Sequence, residues 1–316
     1  MPNAPAAPPP TRPSSSASAP SLLAWGMLAL LGLIWGAAFF FARVAVVEIA
    51  PLTLVFLRVA LAAVTLHLVL ALVRRSVWPY RARWRDFLGM GLLNNAVPFS
   101  LLFVGQTALG AGFASILNAT MPIWTVMVAH LLTGDERMRA ASVVGVALGF
   151  LGVAVMLGPA ALSVSEQPVW AMLCVVGGAV SYGFAGVFGK RFGDVPPTVT
   201  AAGQLTASAS VMLPVALLVD GAPDLVSVSG GVWGAVVVLA VVSTAFAYIL
   251  FFRILALAGA VNVSLVTLLV PPSAIGLGWL FLGERLDAFA WIGLALIAAG
   301  LVVLDGRLAR RLRGAG

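Results

Sequence analysis

The feature that most constrains this chain is a series of apolar stretches, each about as long as a membrane is thick. A helix needs roughly 20 mostly apolar residues to cross the hydrocarbon core of a bilayer. Ten stretches of the 316-residue chain approach that length: residues 21–41, 51–73, 87–104, 109–132, 140–157, 169–188, 198–219, 232–252, 256–282 and 288–304. They are too long and too continuous for the strands of a membrane barrel. We therefore predict an all-α integral membrane protein with ten transmembrane helices.

The composition supports a membrane protein over a soluble one. Hydrophobic residues make up 61% of the chain and charged residues 9%, whereas soluble domains contain about 45–50% apolar and about 25% charged residues. A soluble protein of this length could not bury so much apolar surface in one core. Cys174 is the single cysteine, which excludes an intramolecular disulfide and a cysteine-paired metal site. We expect neither a metal nor a cofactor.

The chain has a net charge of +7, and its basic residues lie in short clusters between the apolar stretches. Membrane topology explains this pattern better than nucleic-acid binding does. Cytoplasmic loops of membrane proteins carry an excess of Lys and Arg. If the N-terminus is cytoplasmic and ten helices alternate, 15 basic residues lie inside, Arg43 and Arg285 lie outside, and Arg58 lies within a helix. This split predicts a multi-pass protein of the cell inner (plasma) membrane with both termini in the cytoplasm and no nucleic-acid partner.

Two similar halves follow a short N-terminal tail. Residues 1–20 are rich in Pro, Ala and Ser, which predicts a disordered cytoplasmic tail, and residues 305–316 form a basic cytoplasmic tail. Between them we place a first five-helix repeat at 21–158 and a second at 168–304. Because five is odd, the second repeat enters the membrane upside down, and such inverted repeats are typical of transporters with a solute site near the membrane midplane.

The repeat is visible in an ordered series of matched residues. The first half has Trp35-Gly36, Arg43, Pro51, Arg58, Pro122 and the pair Gly145 and Gly152, and the second half has Tyr182-Gly183, Lys190, Pro197, Gln204, Pro271 and the pair Gly293 and Gly300.

The order and spacing of these motifs resemble the drug/metabolite transporter superfamily, specifically the EamA type with two tandem EamA domains. The resemblance is carried by Trp35-Gly36-Ala37-Ala38-Phe39, Phe56-Leu57-Arg58-Val59-Ala60, Ile116-Leu117-Asn118-Ala119-Thr120-Met121-Pro122, Gly134-Asp135-Glu136-Arg137 and Leu282-Gly283-Glu284-Arg285-Leu286. It implies a fold of ten helices and a function in the export or exchange of small metabolites. It also implies that helices 1, 3, 4, 6, 8 and 9 line a central cavity and that helices 5 and 10 are peripheral.

Asparagines within the apolar stretches are the first candidates for a site, because polar groups in hydrocarbon are costly and often functional. Asn94 and Asn95 could hydrogen-bond a solute or join neighbouring helices. Asn118 lies four residues before Pro122, and a proline there frees a backbone carbonyl one turn back. This arrangement predicts either a solute-facing polar kink or a purely structural one; Pro271 and Pro272 predict a similar kink in helix 9.

Four further residues are candidates for the cavity wall. Arg58 lies about 10 Å into helix 2, at about 1.5 Å per residue, where it could bind an anionic group or extend to the outer interface; the second interpretation is favoured. Gln204 is its uncharged counterpart in the second repeat. Trp35 and Tyr182 could form walls of the cavity or a gate, although packing is the commoner role of aromatic residues in helices.

The function predicted from these features is secondary transport. The chain would move small metabolites or drug-like solutes across the inner membrane, as an exporter or exchanger, by alternating access between the repeats. Its partners would be a small-molecule solute and the lipid bilayer, and a homodimer is compatible with the sequence. The alternatives are a membrane-embedded enzyme and a non-transporting receptor or structural protein. An enzyme needs a nucleophile–base pair, metal ligands or paired carboxylates, but only His67 and His130 are available within the stretches, and we predict no catalytic residue.

Overall fold

A computed structural model describes residues 22–132, 140–161, 167–263 and 266–305. The secondary structure of the described residues consists of helices, with no β-strand among them. The predicted tail at 1–20, residues 306–316 of the basic tail and the motif at 134–137 lie outside the described residues.

The described chain forms ten helical units. They are α1 (Leu22–Ala45), α2 (Pro51–Leu72), α3 (Trp78–Gln106), α4 (Ala111–Leu132), α5 (Ala140–Ala161), α6 (Val169–Phe188), α7 (Pro197–Val219), α8 (three consecutive segments, Gly230–Val237, Val238–Phe246 and Ala247–Val263), α9 (Val266–Leu282) and α10 (Ala288–Asp305). Proline stands at the first position of α2 and of α7, where its fixed φ suits the first turn and its missing N–H costs no hydrogen bond.

Seven of these units in the described chain are long and apolar enough to cross a membrane: α1, α2, α3, α4, α6, α7 and α8. The described parts of α5, α9 and α10 are apolar but shorter. The boundary between the predicted helices 8 and 9 differs from expectation, because α8 continues to Val263 instead of ending near residue 252. No proline stands between Arg253 and Val263, so nothing in that segment forces the helix to stop.

The main helix contacts are between the two halves of the chain. α1 packs against α9 and α8, α6 packs against α4 and α3, α2 packs against α7, and α5 packs against α10. The buried interior between them is mainly Leu, Val, Ala and Phe. The first half therefore does not form a domain with a separate core.

Carboxylates cap helix N-termini at one end of the molecule. Asp220, after α7, accepts hydrogen bonds from the backbone N and Oγ1 of Thr53 at 2.7 and 2.9 Å. Glu284, after α9, accepts from the backbone N of Ala111 and Gly112 at the start of α4, at 2.8 and 3.1 Å. A negative charge stabilises the unpaired N–H groups and the dipole of a helix N-terminus.

Other contacts at this end join further connections. Glu48 accepts from the backbone N and Oγ of Ser229 at 2.7 and 2.8 Å, and these bonds hold the pKa of Glu48 below its usual range. Arg43 Nη1 donates to the carbonyls of Gln106 and Thr107 at 2.9 and 3.2 Å. The α1–α2, α3–α4, α7–α8 and α9–α10 connections therefore meet at one end.

The opposite end is held by an arginine cluster. Arg83 Nη1 donates to Asp194 at 2.6 Å, Arg83 Nε donates to Asp86 at 3.1 Å, and Arg83 Nη2 donates to the carbonyl of Arg191. The hydrogen bond from Arg83 lowers the pKa of Asp194 below its usual range. These contacts bring the α2–α3 and α6–α7 connections together.

Candidate functional site

Both α3 and α8 contain a stretch of π-helix near the middle of the molecule. The stretches are Leu92–Ala96 in α3 and Val238–Phe246 in α8. A π turn replaces i→i+4 hydrogen bonds by i→i+5 bonds, which disturbs the regular ladder, and it is frequent at functional sites. Side chains complete the pairing there: Thr244 Oγ1 donates to Leu239 O at 2.8 Å, and Ser181 Oγ on α6 donates to Leu93 O at 2.8 Å.

Asn94 lies in the α3 stretch and joins it to the second half of the chain. Its Nδ2 donates to Gln204 Oε1 on α7 and to Tyr248 Oη on α8, both at 3.2 Å. Asn94 is half-buried whereas Gln204 is 2% exposed. The structure thus brings together two of the predicted site residues, Asn94 and Gln204.

The neighbouring Asn95 is fully buried and makes hydrogen bonds through both ends of its amide. Its Oδ1 accepts from Tyr248 Oη at 2.7 Å, and its Nδ2 donates to Ser208 Oγ at 3.3 Å. Ser208 Oγ also lies 2.9 Å from Gly91 O and 2.7 Å from Gln204 O. Asn95 therefore links α3 to α7 and α8, which agrees with the interpretation that this asparagine joins neighbouring helices.

Arg58 on α2 is buried in the interior, with 7% of its surface exposed, rather than extended to the outer interface. Its Nε donates to Thr244 Oγ1 at 2.9 Å, and its Cζ lies 3.9 Å from the centroid of the Phe99 ring. A guanidinium over an aromatic face is attracted by the ring electrons, and more strongly when it is desolvated.

These contacts follow the internal repeat. The matched prolines Pro122 and Pro271 are 149 residues apart and the matched Arg58 and Gln204 are 146 apart, so the counterparts of Asn94 and Asn95 lie within residues 240–244. Arg58 and Gln204, matched residues of α2 and α7, each bond to a π-helical stretch of the other half. We did not single out Thr244, Tyr248 or Ser208 from the sequence, although extending the repeat match to α8 would have indicated the segment that contains Thr244.

Trp35 and Tyr182 occupy matched places beside glycines that allow close helix contact. A Cβ at Gly36 would lie 2.4 Å from Ser273 Cβ on α9, and one at Gly183 would lie 2.9 Å from the backbone of Trp124 on α4. Both aromatic side chains are half-buried, and the Trp35 ring lies 5.8 Å from that of Phe251 on α8.

Asn118 is not hydrogen-bonded to this network. It ends the first segment of α4, which is interrupted at Ala119 and Thr120 before the second segment begins at Met121. Thr120 Oγ1 donates to Leu117 O at 2.7 Å, so the threonine satisfies a carbonyl at the kink. The Oδ1 atom of Asn118 is sealed from solvent and has no hydrogen-bond partner among the described residues.

The two predicted proline sites differ. α4 is interrupted just before Pro122, but α9 remains one helix through Pro271 and Pro272. Pro271 is buried and Pro272 is exposed. The two proline rings leave the carbonyls of Thr267 and Leu268 without their usual N–H donors. The next carbonyl, Leu269 O, accepts a hydrogen bond from Ser273 Oγ at 3.1 Å.

A separate surface cavity of about 490 Å³ lies at the end of the molecule that holds Glu284. Its lining includes Gly112 of α4, Trp279 of α9, Trp291 of α10 and Arg285 of the connection between α9 and α10. It shares no residue with the polar network around Asn94 and Arg58. Across the described ranges there is also no cluster of three or more His, Cys, Asp or Glu residues that could hold a metal ion.

Comparisons with known proteins show relatives along almost the whole chain. The chain is 27% identical over 280 residues to the "Uncharacterized transporter YoaV" of Bacillus subtilis (strain 168), covering 88% of this chain and 95% of that one. It is 28% identical over 284 residues to the "Uncharacterized inner membrane transporter YedA" of Escherichia coli (strain K12), covering 89% and 90%. It is 26% identical over 290 residues to a "Probable amino-acid metabolite efflux pump" of the same strain, covering 88% and 93%.

A solved crystal structure shares the fold, with a TM-score of 0.64 over 92% of this chain and 98% of that one; at 24% identity this likeness concerns the fold alone. The EamA-like transporter family matches the chain twice, over residues 23–158 and 169–304. The family, the relatives and the long apolar helices agree with the predicted multi-pass membrane transporter. The chain belongs to the EamA-like transporter family.

Proposed function

We propose that this membrane transporter is a secondary exporter or exchanger of small metabolites or drug-like solutes in the inner membrane. It would have ten spans in two inverted five-helix repeats, at 21–158 and 168–304, and would work by alternating access between them. Secondary transporters with inverted repeats rock one part of the fold against another around a site near the midplane. The solute site would lie beside Asn94, Gln204, Arg58 and Tyr182.

The helix packing supports the inverted repeat. If each helix of the first half is exchanged for its counterpart five helices later, the contact of α1 with α9 becomes that of α6 with α4, and the contact of α3 with α6 becomes that of α8 with α1. The pairs α2–α7 and α5–α10 are exchanged with themselves. Such a pattern is expected for two units related by a twofold axis.

The observation that carries the proposal is the polar network that joins α3 to α7 and α8. Asn94, Gln204 and Tyr248 are uncharged, belong to both halves, and lie in or beside the π-helical stretches. Hydrogen bonds between helices in membranes are individually weak, about 0.6 kcal/mol on average. A contact of this strength can be exchanged for hydrogen bonds to a solute when the halves move.

The relatives support the class of solute and the direction. One of them is called a probable amino-acid metabolite efflux pump, and an uncharged polar network suits small polar metabolites. The membrane-enzyme and receptor alternatives have no comparable support from the relatives, which are called transporters.

The test is transport by the purified full-length chain. Metabolites would be profiled in the medium of cells with and without overexpression, and each candidate would be measured in proteoliposomes. Gln204→Ala removes the acceptor of Asn94 and should lower the flux about three- to tenfold, the equivalent of one hydrogen bond. Ser210→Ala, on the exposed face of the same helix, is the matched control and should leave the flux unchanged. If no solute accumulates and none enters proteoliposomes, the transporter proposal fails.

A further inference from the structure

The buried charge of Arg58 lacks a compensating carboxylate. Within the described ranges its side chain forms no salt bridge, whereas Arg83 and Arg191 form ion pairs at one end of the molecule. Moving an unpaired ion out of water is costly. The described acidic residues lie in connections or at helix ends, where Glu48, Asp220 and Glu284 cap other helices.

The guanidinium is only partly used by the protein. An arginine side chain offers five N–H groups, and the hydrogen bond that Arg58 makes among the described residues uses Nε alone. Phe99 covers one face of the group. Neither Nη nitrogen makes a hydrogen bond among the described residues, so these terminal donors remain for another partner.

The guanidinium reaches the polar network through α8. Thr244, which accepts from Arg58 Nε, lies one turn before Tyr248, and Tyr248 bonds to both Asn94 and Asn95. The open edge of the guanidinium therefore adjoins the network in which we place the solute.

We infer that Arg58 selects solutes that carry a carboxylate, which its two Nη groups bind as a parallel pair of hydrogen bonds. This inference rests on the proposed transport function and names its substrate class: small monoanions that carry a carboxylate. The planar fork of arginine matches the two oxygens of a carboxylate. A cation without a carboxylate would meet an uncompensated positive charge in a medium of low dielectric constant, and the site rejects it.

The charge count favours a carboxylate over a phosphate. The described interior around this site holds one cation, and neither Gln204 nor the tyrosines add a second positive charge. A carboxylate brings one negative charge and leaves the site neutral, whereas a doubly charged phosphate would leave one negative charge buried. Neutral pairing is the arrangement that the cost of buried charge favours.

The experiment starts from the full metabolite extract of the expression host, filtered to small molecules and loaded into proteoliposomes that contain the full-length chain. Mass spectrometry identifies the solutes that leave wild-type vesicles but stay in empty ones. For the strongest, flux is compared with that of the same solute bearing an amide in place of its carboxylate. Arg58→Gln, Arg58→Lys and the control Arg253→Gln, an exposed arginine on α8, are measured in parallel.

We expect the transported solutes to carry a carboxylate, and the amide analogue to move on the order of 10- to 100-fold more slowly, as expected for a lost charge-assisted hydrogen-bond pair. Arg58→Gln should show the same loss for the acid but little difference between acid and amide. Arg58→Lys should keep the preference at reduced flux, and Arg253→Gln should behave like wild type.

Three results would overturn the inference. Transported solutes without a carboxylate would refute it while leaving the transport function intact, and equal flux of the acid through wild type and Arg58→Gln would remove the role of Arg58. Release of no solute at all would refute the proposed function and the inference with it. If Arg58→Gln does not fold, the comparison of acid with amide in the wild-type chain still decides the substrate class.

Discussion

Asn95 and Asn118 both lie in apolar stretches, but their hydrogen bonding differs, and this difference should appear in the free energy of unfolding. Asn95 makes hydrogen bonds to Tyr248 and Ser208 on two other helices, whereas the Oδ1 atom of Asn118 has no partner among the described residues. Asn95→Ala should lower the free energy of unfolding in mixed detergent micelles by about 1–2 kcal/mol. Asn118→Ala should cost little or nothing, because it removes a buried acceptor that is already unpaired.

Transport separates the roles of the same two residues. If Asn118 faces a solute, Asn118→Ala should reduce flux in proteoliposomes by more than it reduces the yield of folded protein. Serine at each position serves as the control that keeps a small polar group. A large loss of stability in Asn118→Ala, with flux per folded molecule unchanged, would show that the residue is structural.

Residue positions were predictable here where the repeat or the polarity marked them. Arg58, Asn94 and Gln204 stand out as polar groups in apolar stretches, and the structure joins Asn94 to Gln204. The sequence did not indicate that Arg58 would stack on Phe99 instead of extending to the interface, because both arrangements suit an arginine about two turns into a helix. The choice depends on which residues of α3 and α8 face α2, which is a property of packing.

At the scale of helices, close contact through small residues determines how α1 meets α9. A Cβ at Gly36 would lie 2.4 Å from Ser273 Cβ and 2.8 Å from Val270 O, whereas one at Gly26 in the same helix would meet nothing within 4 Å. Gly36→Ala should therefore reduce the free energy of unfolding by about 1–3 kcal/mol through overpacking. Gly26→Ala should be neutral or slightly stabilising, because alanine has the higher helix propensity.

The comparison is made by reversible unfolding of both variants in the same detergent mixture. Because both changes add one methyl group to α1, a general effect of alanine on the helix would appear in both. Equal stabilities of Gly36→Ala and Gly26→Ala would contradict the close α1–α9 contact.

Helix existence follows from apolar length, but local helix geometry does not. The apolar stretches predicted the helices with boundaries shifted by a few residues, except where α3 begins at Trp78 instead of near residue 87 and where α8 continues to Val263. The π-helical stretches in α3 and α8 have no composition of their own, since they depend on how the backbone pairs with Ser181 and Thr244. Their matched places in the two halves appear only once the helices are packed.

For the whole molecule, the untested prediction is its orientation in the membrane. The end that joins the α2–α3 and α6–α7 connections holds seven basic residues, whereas the opposite end of the described chain holds Arg43 and Arg285. The seven are Arg74, Arg75, Arg81, Arg83, Arg85, Lys190 and Arg191. The rule that Lys and Arg concentrate on the cytoplasmic side therefore places the arginine-rich end inside.

Cysteine labelling tests this orientation in intact cells. In a Cys174→Ala background, Asp224→Cys lies in the exposed α7–α8 connection and Ser76→Cys lies in the exposed α2–α3 connection, at opposite ends of the molecule. A membrane-impermeant maleimide applied to spheroplasts should label Asp224→Cys at once and Ser76→Cys only after lysis, because the first position is predicted outside and the second inside. The two positions control for each other, since both are exposed and lie in connections between helices. Labelling of Ser76→Cys before lysis with protection of Asp224→Cys would mean that the chain is inserted the other way up, and labelling of both would mean that the connections do not lie on opposite sides of the membrane.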